Sequence, residues 1–62
     1  MPDSADKDVL IEFVRIGNSV KVSAIDPATG TEVSIVGPSN MSEAQLSSNA
    51  IAKLRYVLAK NK

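Results

Sequence analysis

Two turn signals divide the stretch from Val9 to Pro38 into three short β-forming runs, and together they dictate how those runs pair. Gly17–Asn18 is a two-residue hairpin signal, because both residue types tolerate positive φ. In Asp26–Pro27–Ala28–Thr29–Gly30–Thr31, Asp26 and Pro27 favour a type I turn, and Gly30 supplies the left-handed residue that closes it. The first loop sets Ile16 opposite Ser19, and hence Arg15 opposite Val20, Phe13 opposite Val22 and Ile11 opposite Ala24. The second pairs Asp26 with Thr31, Ala24 with Val33 and Val22 with Ile35. Counted from either loop, Ile11, Phe13, Val22, Ala24, Val33 and Ile35 fall on one side of one sheet. Turn chemistry and side-chain alternation therefore agree, which pins the register.

Gly37–Pro38–Ser39–Asn40 is expected to stop the third strand, with a helix following from about Met41 to Lys60. Asn40 or Ser42 can cap it, with Glu43 or Gln45 at the third position of a capping box. Glu43 near the start and Lys60 and Lys62 near the end suit the helix dipole. Ala44, Ala50, Ile51, Leu54, Val57 and Leu58 form an apolar stripe at helical spacing. The expected fold is α+β: a three-stranded antiparallel meander followed by one C-terminal helix, in two layers. Residues 9–62 make the single β-β-β-α domain, and residues 1–8, with Asp3, Asp6 and Asp8 against Lys7, read as a disordered acidic tail.

The pattern leaves an apolar surplus. Once the helix covers one face, the other still carries Leu10, Val14, Ile16, Ile25 and Val36 among Glu12, Lys21, Ser23, Glu32 and Ser34. On the helix, Ala52, Tyr56 and Ala59 form a second, weaker stripe, and Leu46 lies off both. Scattered exposed aliphatics are ordinary on any surface, but five on so small a sheet suggest a shared one. A chain of 62 residues is marginal alone, and small scaffolds lean on disulfides, metals or self-association. With no Cys and no His, the first two aids are closed or severely narrowed. A homodimer is expected, joined edge to edge or by exchange of strands or helices. Its candidate interface residues are Leu10, Val14, Ile16, Ile25, Val36, Leu46, Ala52 and Tyr56.

Site chemistry is sparse. Without His or Cys the usual general bases and nucleophile pairs are missing. Eight serines remain, but no motif places one beside a lysine. Asp3, Asp6 and Asp8 lack the glycine and distal glutamate of a calcium loop. Gly17, Gly30 and Gly37 are separated turn glycines with no phosphate-cradling pattern. No catalytic, cofactor-binding or metal-binding residue is assigned. Net charge is zero, which gives no global bias toward nucleic acid or an anionic membrane. The one local charge feature is Lys53, Arg55, Lys60 and Lys62 near the C-terminus, a candidate contact for an anionic partner. A solvated helix face suited to the dipole is the plainer alternative.

The segment from Glu12 to Pro38, above all "RIGNSVKVSAIDPATGTEVSIVG", together with the helical "LRYVLAK", resembles a family of small uncharacterised, mainly alphaproteobacterial proteins classed as a domain of unknown function. The resemblance spans about residues 9–60 and implies a small domain with no known activity. Some members carry a serine hydroxymethyltransferase label. That chemistry needs a pyridoxal-phosphate pocket and a large fold, which 62 residues without His do not supply.

The expectation is a cytoplasmic, non-catalytic homodimer acting as a protein–protein interaction or accessory module, with an unknown protein partner, no cofactor and no membrane insertion. Nucleic-acid binding through the basic end of the helix is one alternative. Ligand binding at the dimer seam is the other.

Overall fold

The computed structural model describes residues 9–60. Three strands, β1 (Leu10–Ile16), β2 (Ser19–Asp26) and β3 (Thr31–Pro38), form one antiparallel sheet in the order β1-β2-β3, and one helix, α1 (Glu43–Lys60), follows. The register is the one dictated by the two loops: Ile16 lies opposite Ser19, Phe13 opposite Val22, Asp26 opposite Thr31 and Ala24 opposite Val33. The acidic segment 1–8 and Lys62 lie outside the described residues.

Both loops work through one glycine. Gly17 has φ of 60°, whereas Asn18 does not enter the positive-φ region. The first hairpin thus uses only one of the two residues expected to be left-handed, in the manner of loops with glycine at the first central position. Its far side is held by Ser39 N, which donates to Asn18 O at 2.9 Å. In the second loop Gly30, at φ 75°, donates its N–H to Asp26 O at 2.8 Å. The Asp26 carboxylate accepts from Ala28 N (3.2 Å) and from Thr29 Oγ1 (3.0 Å), so a single side chain organises the turn.

The helix begins at Glu43, two residues after the expected Met41, because Ser42 is the cap: Gln45 N donates to Ser42 Oγ at 3.1 Å, and Leu46 N bonds Ser42 O at 3.0 Å. Of the two candidate caps legible in the sequence, Ser42 is the one used, through its hydroxyl on Gln45 N–H.

The core lies between one sheet face and α1. Val22, Ala24 and Val33 meet Leu46, Ala50 and Leu54, flanked by Ile11, Val20, Ile35, Met41, Val57 and Leu58. Ala24 and Ala50 are both fully buried, and their small side chains let helix and sheet approach closely. The apolar stripe is rotated from the expected one by roughly half a residue step of the helix. Leu46, which the sequence places off both stripes, is only 2% exposed, while Ala44 is exposed.

Gly37 explains the rotation. It lies inside β3 rather than ending it, and its role is not a turn: a Cβ built there would come within 2.5 Å of Leu46 Cδ2. The missing side chain is the socket into which Leu46 packs. Leu46 is therefore withdrawn from the candidate dimer interface.

Candidate functional site

α1 packs on β2 and β3 and leaves β1 to one side. Phe13 points to the helix face by register, yet it is 37% exposed, because no helix turn reaches over it. The sequence places this ring in the core. On the opposite face Leu10 is 57%, Val14 44% and Ile16 59% exposed. Four of the six large apolar side chains exposed among the described residues thus sit on β1, on both of its faces, and the other two are Val36 and Tyr56. The apolar surplus wraps an edge rather than covering a face.

The centre of the open face is polar and closed. Ser23 is 4% exposed, and its hydroxyl pairs with that of Ser34, directly opposite on β3, at 3.1 Å. Glu12 continues this row onto β1. No buried side-chain nitrogen or oxygen lacks a hydrogen-bond partner among the described residues, so the row asks for no ligand.

The two sheet edges differ. Lys53 Nζ donates to the backbone carbonyl of Ser34 at 2.9 Å, which shows that Ser34 turns its main-chain groups away from β2. Inward and outward residues alternate along an antiparallel strand. Glu32, Val36 and Pro38 therefore also face outward, and Pro38 has no N–H to offer. A lysine and a proline on the outer edge of β3 are two of the ways in which natural sheets discourage strand addition.

The same alternation carried across Ser23 and its partner Glu12 turns the main chains of Ile11, Phe13 and Arg15 outward on β1. The two-residue loop yields the same parity from the other end, since the residues flanking it, Ile16 and Ser19, form a bonded pair. Among the described residues no side-chain hydrogen bond guards this second edge comparably. The Arg15 guanidinium folds back onto Gly17 O at 3.2 Å.

A family model for a domain of unknown function, DUF6898, matches residues 6–61. The chain belongs to the DUF6898 family. No curated protein and no solved structure matches it. The DUF6898 description carries no activity, so this domain's function has to be read from its surface.

The remaining candidate residues of this DUF6898 chain fall into separate places. Val36 is exposed on the far strand and Ile25 is half-buried. Ala52 and Tyr56 are exposed on α1, about half a turn round from buried Leu54. They therefore face away from the sheet, and one flat interface cannot use both them and the open sheet face. The basic residues also separate. Lys53 lies on Ser34 O, and Lys60 Nζ stands 5.6 Å from the centre of the Tyr56 ring, within cation–π range. Arg55 is two residues from Lys53, on the other side of the helix. Among the described residues no helix is long and apolar enough to cross a membrane.

Proposed function

We propose that this chain is a small, non-catalytic, homodimeric interaction module of the bacterial cytoplasm that acts on another protein. The observation that carries the reading is the apolar band on β1, joined to a sheet edge whose outward main chain has no further strand beside it among the described residues. Edges of this kind are used to add strands from partners. The bacterial setting follows the family resemblance described above, and the cytoplasmic setting is carried over from the reading of the sequence. Val36 and the Ala52–Tyr56 side of α1 are the surfaces a β1-centred dimer leaves for a second partner.

Light scattering over a dilution series tests the first half, with a mass of two chains expected at micromolar concentration. The second half is tested by crosslinking in native extract with the wild type and with Val36→Glu and Tyr56→Ala. A protein captured in equal amount by the wild type and lost with one of the two variants is expected. Capture that survives both substitutions overturns the assignment of these surfaces. A single-chain mass at high concentration overturns the homodimer.

A further inference from the structure

The strongest unassigned feature is the geometry of the β1 edge, and its self-complementarity names its occupant. We propose that two copies of this chain pair through β1, antiparallel, with Phe13 on the two-fold axis, extending the sheet to six strands. The proposal rests on the homodimer reading above and adds the surface and the register.

Three observations converge on Phe13. The first is parity: main-chain bonding between two β1 edges must use the outward residues Ile11, Phe13 and Arg15, so each bonded pair joins two of these. The second is length. β1 runs from Leu10 to Ile16, and Phe13 is its midpoint, so an axis there pairs the strand end to end with none of it left over. Leu10 then lies opposite Ile16 of the second copy and Ile11 opposite Arg15, while the two Phe13 rings meet beside the helices. The most exposed aliphatics of β1 cover one another, in line with Ile25 behind Leu10.

The third is charge. An axis at Glu12 sets two carboxylates directly opposite each other. An axis at Val14 keeps the parity but places Leu10 against Asn18 of the other copy's loop and leaves it uncovered. With the axis at Phe13, Glu12 lies beside Val14 of the second copy, with that copy's Lys21 next along the row, and the two glutamates meet only diagonally, about 7–8 Å apart. The two carboxylates are thus kept from direct opposition, and each row through a Glu12 across the seam carries one acid and one base.

The other edge supports the choice. Lys53 on Ser34 O and Pro38 on the same side protect β3, so growth stops after one pairing and yields a closed dimer rather than a fibre.

The chain has no cysteine, so single-cysteine variants report cleanly. Glu12→Cys, Phe13→Cys and Val14→Cys are each oxidised mildly at micromolar concentration and resolved by mass. In a two-fold pairing only the residue on the axis meets its own copy, and a bonded antiparallel pair places its Cα atoms about 5.5 Å apart, within disulfide range. Phe13→Cys is expected to give at least about tenfold more crosslinked dimer than its neighbours. The double variant Ile11→Cys/Arg15→Cys keeps the ring and is expected to crosslink between copies through the flanking pair. Preferential crosslinking at residue 12 or 14 overturns the register and leaves the homodimer standing. A two-chain mass with no crosslink in any variant overturns β1 pairing and points to exchange of elements. A one-chain mass throughout removes both readings.

Discussion

Replacing Gly37 by alanine tests how the helix is seated on the sheet. The new Cβ would lie 2.5 Å from Leu46 Cδ2, against an optimal carbon–carbon separation of about 3.5–4.0 Å. Leu46 must retreat by roughly 1 Å, but it is 2% exposed and held within the core beside Val22, Ala24 and Ala50. Overpacking of this kind costs about 1–3 kcal/mol. The alanine recovers about 0.4–1 kcal/mol by stiffening the unfolded chain. The expected net loss is about 1–2 kcal/mol, a large part of the roughly 3–9 kcal/mol available to a chain of this length.

Leu46→Ala alone is expected to cost about 2–5 kcal/mol through the cavity it leaves. In that background the clash is gone, and Gly37→Ala should become neutral or stabilising. Urea unfolding followed by far-UV circular dichroism, at one protein concentration so that assembly is held constant, measures all four corners of the cycle. The sign reversal is the signature. If Gly37→Ala has the same effect with and without Leu46, the socket is not what requires glycine, and the account of the rotated stripe is wrong.

Three further outcomes follow from single contacts. Ser42→Ala removes the acceptor of the Gln45 N–H and should destabilise by about 1 kcal/mol, with loss of ellipticity at the start of α1; an unchanged melting curve refutes the cap assignment. Asp26→Ala strips the second loop of two hydrogen bonds at once and should cost about 0.5–1.5 kcal/mol in thermal unfolding, most of which Asp26→Asn should restore, since the amide keeps one acceptor oxygen. Lys53→Met uncovers the Ser34 carbonyl on the outer edge of β3 and should leave the unfolding midpoint nearly unchanged while light scattering shows species larger than the wild type; an unchanged mass shows that the lysine does not guard this edge.

Local chemistry in the chain was enough to determine the meander and its register, and to narrow the helix cap to Asn40 or Ser42. Gly17, Asp26, Gly30, Ser42 and Gln45 act on neighbours a few residues away, so their consequences can be counted along the sequence. The family resemblance was legible in the same stretch, and the match over residues 6–61 agrees with it. Where α1 sits on the sheet was decided only in three dimensions. Leu46, between a glutamine and two serines, reads as peripheral until Gly37 of β3, nine residues earlier, is seen to leave room beneath it. The seating follows from the shapes of two surfaces at once. It directs the helix over β2 and β3 and leaves Phe13 exposed at the edge, although alternation had put that ring on the covered face. Periodicity reports which side of a strand a residue occupies; whether anything lies over it depends on where the other layer comes to rest, and close packing of non-neighbouring side chains settles that.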